Sequence, residues 1–265
     1  MDMFILGTAQ IGMKYGVTNN SEKPNKDQAY EMLNFCLEHN INFFDTAHAY
    51  GDSETLIGQY QKEICKDLNI VTKVNSFEQF LDSSIKLKNI YAVLIHSFKD
   101  YNNLLVDKLI QNTSRVGVSV YNLDEALTVL SNPSISIIQI PFNYLDRQWF
   151  DPKFIKIIRK NNITVHVRSI FLQGKLIHTN LLPNDISNNI LTISNNLKLK
   201  PIELAISYIK TIDWIDGIII GADNLEQIKE NYLIFQNSRI LDNSEIKQFQ
   251  VFNSIDPSII DPRKW

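Results

Sequence analysis

Short, uniformly apolar segments recur eight times along this chain, and stretches with the apolar period of a helix lie between them. The segments are Phe4–Thr8, Phe43–Asp45, Ile70–Lys73, Ala92–His96, Val116–Val120, Ile135–Ile140, Thr164–Arg168 and Ile218–Gly221. Strands without a polar face suit a parallel sheet that is buried on both faces better than a half-exposed antiparallel sheet. The alternation therefore predicts eight βα units.

The intervening stretches carry recognisable helix signals. Residues 26–40 place apolar side chains on one side and charged side chains on the other. Ser53 is predicted to cap the helix that follows the second strand. In the longest connection, residues 171–216, Pro201 predicts the first turn of the main helix. A last helix is predicted around Ser244–Phe252, after the eighth unit.

Eight βα units in 265 residues match the size of a (β/α)8 TIM barrel, an α/β fold. The alternative is a doubly wound open sheet. No G-x-G-x-x-G motif follows the first strand, where the chain reads GTAQIG, so the barrel is the better prediction. No low-complexity tract or charge run marks a boundary, and residues 1–265 are predicted to form a single domain.

Composition narrows the classes of partner. A formal net charge of −3 gives no reason to expect nucleic acid or an anionic membrane surface. No apolar run approaches the roughly 20 residues that span a bilayer, and the N-terminus lacks the basic region of a signal peptide, which predicts a cytoplasmic protein. Neither the cysteines, Cys36 and Cys65, nor any pair of histidines has metal-ligand spacing, so no metal is predicted.

Polar residues with useful chemistry stand where three successive strands end. Asp45 ends the second strand and Tyr50 follows it, Lys73 ends the third strand and His96 the fourth. The active site of a (β/α)8 barrel lies at the C-terminal ends of its strands. Because adjacent strands lie about 4.8 Å apart, these four side chains can converge. The sequence predicts a proton-transfer site.

The four residue types suggest a division of labour. A phenol ordinarily titrates near pH 10, and a neighbouring ammonium group stabilises its phenolate form. Lys73 could serve Tyr50 in this way if the carboxylate of Asp45 keeps the buried ammonium charged. Tyr50 then acts as a general acid towards an oxygen that gains negative charge, and His96 orients that oxygen. Such a device suits carbonyl reduction by hydride from a nicotinamide.

These residues belong to motifs that resemble those of the aldo-keto reductase superfamily, in particular its bacterial-type aldo/keto reductases, over nearly the whole chain. The motifs, in chain order, are FFDTAHAYGDSETLIG, VTKV, LIHSF, GVSVYN, SIIQIPFNYLDR and GADNLEQIKEN. Several motifs in the family's order make the resemblance specific. It implies the barrel fold and places Asp45, Tyr50, Lys73 and His96 in the catalytic positions.

The resemblance also implies a dinucleotide cofactor, NADP or NAD. Ser119 and Gln139 would hold the nicotinamide carboxamide. Glu230 and Asn231 match the positions that contact the adenine.

The chain departs from the family pattern at the nicotinamide. The residue after the strand-five serine is usually asparagine, whereas Val120 stands here. The aromatic residue that often stacks on the nicotinamide is absent from strand seven. Arg168 or Ser169 takes its place, with Phe171 close by.

A further departure concerns the 2′-phosphate of NADP. The lysine and arginine that grip this phosphate in many members align with Gly221 and Gln227. Asp223 would repel a phosphate and could accept a hydrogen bond from a free ribose hydroxyl. The family favours NADP, and these three positions favour NAD or dual use.

The predicted function is NAD(P)H-dependent reduction of an aldehyde or ketone, a sugar-like one included, to an alcohol by direct hydride transfer. The partner is then a small-molecule carbonyl substrate. Two alternatives stay open. One is a non-catalytic regulatory or sensor protein that binds a nicotinamide with the same fold. The other is a barrel aldolase that forms a Schiff base on Lys73.

Overall fold

Eight parallel strands close into a barrel in the computed structural model, which describes residues 3–16 and 22–264. The strands are β1 (Met3–Gly7), β2 (Phe43–Asp45), β3 (Asn69–Val74), β4 (Ile90–Ile95), β5 (Val116–Ser119), β6 (Ile137–Pro141), β7 (Thr164–Arg168) and β8 (Gly217–Gly221). Each strand pairs with the next along the chain, and β8 closes the barrel on β1. The predicted (β/α)8 barrel is confirmed.

Helices alternate with these strands and surround the barrel. Over the described residues they are α1 (Ala9–Gly12), α2 (Lys26–Glu38), α3 (Ser53–Ile64), α4 (Phe77–Lys86), α5 (Asn103–Ile110), α6 (Leu123–Val129), α7 (Pro152–Lys160), α8 (Asn184–Leu197), α9 (Pro201–Lys210), α10 (Leu225–Asn237), α11 (Asn243–Lys247) and α12 (Pro257–Ile260). In the part of the chain that the structure describes, none is long and apolar enough to cross a bilayer.

The connection between β7 and β8 contains two long helices, not one main helix. The predicted helix is α9, which begins at Pro201. The missed helix, α8, is longer, and it buries Ile186, Ile190 and Ile193. Its remaining residues are largely asparagine and serine, which favour caps and turns over helix interiors. The three buried isoleucines are spaced by four and then three residues, which is the spacing of one helix face. This pattern could have predicted α8 despite the poor helix propensity.

Two smaller expectations were also wrong. Strand β4 ends at Ile95, one residue before His96, although the His96 amide still donates to the carbonyl of Val74 at 2.9 Å. The predicted helix around 244–252 is α-helical only to Lys247 and continues as the 3-10 turn Gln248–Phe252.

Ser53 does not cap α3, contrary to prediction. Asp52 occupies the cap position without a capping side-chain hydrogen bond, and Ser53 is the first helical residue. Its hydroxyl donates to Thr8 Oγ1 at 2.8 Å and lies 3.1 Å from Thr46 Oγ1. Thr8 in turn donates to the carbonyl of Asp45 at 2.9 Å. These buried hydroxyls tie the ends of β1 and β2 to the start of α3.

The apolar core has an outer and an inner part. The outer part lies between the strands and the helices, and the inner part fills the barrel with Val71, Ala92, Leu94 and Ile137. His166 is fully buried on β7, and neither of its ring nitrogens has a hydrogen-bond partner among the described residues. Burial, and then the charges of two basic residues, lower the pKa of His166 to about 4, so the ring is neutral at pH 7.

Candidate active site

A cavity of about 430 Å³ opens at the C-terminal ends of the strands. Asp45, Arg168 and Gly221, which end β2, β7 and β8, line it together with Tyr50. Four further residues of the predicted site do not line this cavity. Lys73 is the next-to-last residue of β3, which ends at Val74, not at Lys73 as predicted; His96 directly follows β4, Ser119 ends β5 and Gln139 lies in the middle of β6.

Lys73 is the centre of the polar cluster. Its side chain is 1% exposed, and its ammonium group donates to Asp45 Oδ1, to the carbonyl of Thr46 at 2.9 Å and to the Tyr50 hydroxyl at 3.4 Å. Burial by itself lowers the pKa of Lys73, but the charges of Asp45 and Tyr50 outweigh burial and raise it. The ammonium group therefore stays charged at neutral pH beside the phenol.

Two glycines hold the Tyr50 backbone against α1. A methyl group on Gly12 would lie 1.9 Å from the Tyr50 carbonyl oxygen and 2.6 Å from the Ser53 amide nitrogen. Gly51 has a φ of +55°, a conformation that side chains disfavour, and its own methyl group would meet the Gly12 carbonyl at 2.3 Å. This close backbone approach sets the position of the phenol.

His96 lies on the other side of Tyr50. The two rings are 5.7 Å apart and nearly perpendicular. Burial, followed by the charges of Lys73 and Arg168, lowers the pKa of His96 to about 3. The imidazole is therefore neutral at neutral pH, and it can donate one hydrogen bond to a carbonyl oxygen without carrying charge.

Gln139 has a contact that the sequence did not suggest. Its Nε2 donates to Asp45 Oδ2 at 2.7 Å across the barrel interior. Its Oε1 is buried and has no hydrogen-bond partner among the described residues. A buried acceptor of this kind suits an amide NH2 donor. This orphaned atom fits the carboxamide of a nicotinamide, the group that Gln139 was predicted to hold.

Arg168 reaches over the end of β5. Its guanidinium nitrogens lie 3.4 Å from Ser119 Oγ, 3.3 Å from the carbonyl of Val120 and 3.4 Å from Ser169 Oγ. The guanidinium carbon stands 4.3 Å from the centre of the Tyr121 ring. Tyr121 was not singled out from the sequence, although it follows directly after the fifth apolar segment.

The predicted adenosine end of the site lies along β8 and α10. Gly221, Asp223 and Gln227 line the cavity, as do Glu230 and Asn231 of α10. The Asp223 amide donates to Gln227 Oε1 at 2.8 Å, and Gln227 Nε2 lies 3.3 Å from Asp223 Oδ2. Burial raises the pKa of Asp223, and hydrogen bonds from Gln227 and Gln10 partly offset this increase.

Sequence reasoning missed Gln10. Its amide fills the space beside Gly221, where a methyl group would lie 2.6 Å from Gln10 Oε1. The side chain also lines the cavity. Its place in the connection after β1, on the same barrel end as the other strand-end residues, was the available signal.

The wall of the cavity after β7 carries backbone strain. Ser169, Leu172 and Gln173 have φ values of 59°, 49° and 52°, and Gly174 has 91°. Left-handed conformations at residues other than glycine are uncommon and concentrate at functional sites. Ser169, Gln173 and Gly174 line the cavity, so the strained segment faces the candidate ligand.

One histidine near the site lies outside the cavity. His48 lies in the loop after β2 but pairs with Asp82 at 3.0 Å instead of lining the cavity. The described residues contain no group of three or more histidine, cysteine, aspartate or glutamate side chains that could hold a metal ion.

Comparisons with known proteins agree with the fold. A family model described as the aldo/keto reductase family matches residues 4–253. No curated protein sequence matches the chain. An aldo-keto reductase from Bacillus halodurans, in its holo form, has a TM-score of 0.77 at 17% identity, covering 97% of this chain and 95% of the other.

Two further solved structures resemble the chain. A thermostable aldo-keto reductase in complex with the inhibitor epalrestat has a TM-score of 0.72 at 20% identity, with 95% of each chain covered. The glycerol dehydrogenase from Gluconobacter oxydans has a TM-score of 0.72 at 17% identity, with 96% of this chain and 94% of the other covered. At such low identities these structures show a shared fold.

Proposed function

Because the chain belongs to the aldo/keto reductase family, we propose that it is an NAD(P)H-dependent oxidoreductase that reduces an aldehyde or ketone to an alcohol. The observation that carries the proposal is the buried ammonium group of Lys73, which contacts both the Asp45 carboxylate and the Tyr50 hydroxyl. A buried positive charge thus lies beside one phenol. It suits proton donation to an oxygen that becomes negative.

The protein residues handle the proton. Tyr50 donates its hydroxyl proton to the carbonyl oxygen as negative charge develops there. Lys73 stabilises the phenolate that remains, and Asp45 keeps Lys73 charged in its buried position. His96 is neutral and donates a hydrogen bond to the same oxygen, which fixes the orientation of the carbonyl. A reduced nicotinamide, when bound, supplies the hydride.

The nucleotide would be held at both ends of the cavity. Gln139 Oε1 would accept from the carboxamide NH2, and Ser119 Oγ stands at the neighbouring β5 position. Glu230 and Asn231 would contact the adenine.

We propose that NAD serves this site at least as well as NADP. Gly221 and Gln227 offer no positive charge for a 2′-phosphate, and the carboxylate of Asp223 lines the cavity beside them. A carboxylate repels a phosphate and accepts a hydrogen bond from a ribose hydroxyl. NADP remains the alternative that the family favours.

The test is the Tyr50→Phe variant, assayed by NADH and NADPH oxidation with a panel of small aldehydes and ketones. Loss of general acid catalysis should lower kcat by about 100- to 10,000-fold while nucleotide affinity stays close to that of the wild type. Tyr30→Phe is the matched control, since Tyr30 bonds to Glu63 away from the cavity. Near wild-type turnover by Tyr50→Phe would overturn the proposal.

The two alternatives predict different results. A regulatory protein would bind the nucleotide but would not oxidise it with any carbonyl compound in the panel. A Schiff-base aldolase would be trapped on Lys73 by borohydride. The raised pKa of Lys73 argues against the aldolase, because a protonated amine is a poor nucleophile.

A further inference from the structure

The cavity is electrically polarised. Among the described residues that line it, Arg168 is the only lysine or arginine, and it lies at the β7 end. The carboxylates of Asp223 and Glu230 lie along β8 and α10. The remaining lining carboxylate, Asp45, is already paired with Lys73. The one lysine or arginine among these described lining residues therefore lies at the β7 side of the cavity, away from the carboxylates that follow β8.

Among the residues that the structure describes, no carboxylate forms an ion pair with Arg168. None of the ion pairs between described residues includes it, and its hydrogen bonds to Ser119, Val120 and Ser169 are all 3.3 Å or longer. Such contacts are weak compared with the charge-assisted bonds of about 2.7 to 2.9 Å that arginine makes to an anion. The half-buried guanidinium therefore makes only long hydrogen bonds to the described residues, and an anion in the cavity could offer it shorter ones.

The direction of Arg168 separates it from the adenosine end. Its contacts lead from β7 towards β5 and Tyr121, and its charge lowers the pKa of His96 on β4. It therefore lies on the side of the cavity where His96 and Tyr50 would receive a carbonyl group. Asp223 follows β8, the strand that lies between β7 and β1.

Tyr121 fixes the guanidinium from outside the cavity. Its backbone amide donates to Glu125 Oε2 at 2.7 Å. The guanidinium carbon of Arg263 also lies over its ring, 4.0 Å from the ring centre. Arg263 is anchored to Asp261 at 2.8 Å. A planar cation held over an aromatic ring is pre-organised, so less side-chain entropy is lost when it binds an anion.

We propose that Arg168 is the substrate-binding cation of this site, and that the preferred substrate is a small carbonyl compound carrying an anionic group, either a carboxylate or a phosphate. This inference rests on the proposed carbonyl reduction. The anion pairs with the guanidinium while the carbonyl oxygen reaches Tyr50 and His96. Arg168 is then a specificity-determining residue.

The experiment compares matched anionic and neutral substrates in the wild type and in Arg168→Gln. The pairs are pyruvate with methyl pyruvate, succinic semialdehyde with its amide, and glyceraldehyde 3-phosphate with glyceraldehyde. In the wild type we expect kcat/KM to favour the anionic member of at least one pair. In Arg168→Gln that preference should fall by about 10- to 100-fold, which is the range expected for the loss of a charge-assisted hydrogen bond. The change should appear mainly in KM. An unchanged preference overturns the proposal.

Two further variants sharpen the result. Arg159→Gln makes the same substitution at an exposed arginine, which pairs with Asp213 at 2.7 Å outside the cavity, and should leave the preference intact. Arg168→Lys keeps the charge but loses the planar fork, and should recover part of the preference. The pair that shows the preference distinguishes a carboxylate substrate from a phosphate substrate.

The cofactor's own phosphates are the competing anion. NADH affinity of Arg168→Gln is therefore measured by fluorescence titration. If affinity for NADH falls while the substrate preference is unchanged, Arg168 serves the nucleotide and the proposal is wrong.

A binding measurement decides the matter even if no carbonyl compound is reduced. Calorimetry compares malonate and inorganic phosphate, with malonamide as the neutral control, on the wild type and on Arg168→Gln. Binding of malonate or phosphate that weakens about 10-fold or more in the variant supports the anion site. Equal binding by the two proteins, or none by the wild type, overturns it. Failure of reduction alone would count against the proposed function only.

Discussion

Gln139 donates a hydrogen bond of 2.7 Å to Asp45, joining β6 to β2 across the interior of the barrel. The two oxygens of this carboxylate are divided between Gln139 and Lys73. Asp45 is thus held from two sides in a position that is 3% exposed. The contact links a residue predicted for the cofactor to the residues predicted for catalysis.

Replacing Gln139 by leucine should destabilise the fold. The substitution leaves one buried oxygen of Asp45 without its donor, which costs about 1 to 3 kcal/mol of unfolding free energy. Chemical denaturation measures the change, and Ser119→Ala on the neighbouring strand is the control. A variant as stable as the wild type would show that the Gln139–Asp45 bond contributes nothing.

Asp45→Asn should shift the pH dependence of turnover. Burial lowers the pKa of Lys73, and the charge of Asp45 is the main influence that raises it. Without that charge the pKa of Lys73 falls, so Lys73 loses its proton, and kcat declines, at a lower pH than in the wild type. The measurement is kcat against pH. Asp82→Asn, outside the cavity, should leave the profile unchanged, and an unshifted profile in Asp45→Asn would contradict the role of the pair.

His166 should make the fold less stable in acid. Its pKa is about 4 in the folded chain and about 6.5 when unfolded, so the unfolded state binds more protons between these values. Its contribution to stability is complete above about pH 6.5 and is lost as the pH falls towards 4, by about 3 kcal/mol in total. His96 should also destabilise the fold as the pH falls, because its pKa in the folded chain is about 3.

The His166→Gln variant isolates this effect. Its unfolding free energy, measured by denaturant titration from pH 7 to pH 4, should fall less steeply than that of the wild type. Parallel slopes for the two proteins would show that the imidazole is not held neutral inside the barrel.

Gly12→Ala should impair both folding and turnover. The added methyl group would lie 1.9 Å from the Tyr50 carbonyl oxygen, so the backbone of the catalytic loop must move. Overpacking of this kind costs about 1 to 3 kcal/mol. Thermal denaturation and kcat are the two measurements. Gly7→Ala is the milder control, because its methyl group first meets the Ile219 side chain, at 3.1 Å.

Asp223→Ser should raise the affinity for NADPH. The substitution removes the carboxylate that lines the cavity next to Gly221 and Gln227, where a 2′-phosphate would lie. Titrations with NADH and NADPH should show a selective gain for NADPH. Glu226→Ser is a suitable control, since Glu226 pairs with Lys229 at the protein surface. An NADPH affinity that is the same in the wild type and in Asp223→Ser would show that Asp223 does not discriminate between the two nucleotides.

Much of the barrel and of the candidate catalytic cluster is readable from the sequence. A strand that is apolar throughout and ends in a polar residue has few alternatives in a parallel barrel, so Asp45 and Lys73 could be placed at one edge. Tyr50 and His96 could be placed at the same barrel end, because each lies in a loop that begins where a strand ends. Local signals of this kind survive folding with little ambiguity.

Contacts between distant segments could not be read in the same way. Gln139 and Asp45 are 94 residues apart, and their bond depends on which strands face each other across the closed barrel. The placement of Arg263 over Tyr121 depends on how the segment after α11 crosses the barrel end. Ser53 looked like a helix cap because its actual partner, Thr8, is 45 residues away.

Because Arg168 and Arg263 both stack on the Tyr121 ring, we expect the C-terminal segment to respond to occupancy of the cavity. A ligand that draws Arg168 away from the ring should change the free energy with which Arg263 holds that segment in place. Amide hydrogen exchange in residues 256–264 would therefore register binding at a distance, in a part of the chain that does not line the cavity. Such a signal needs neither turnover nor a labelled ligand.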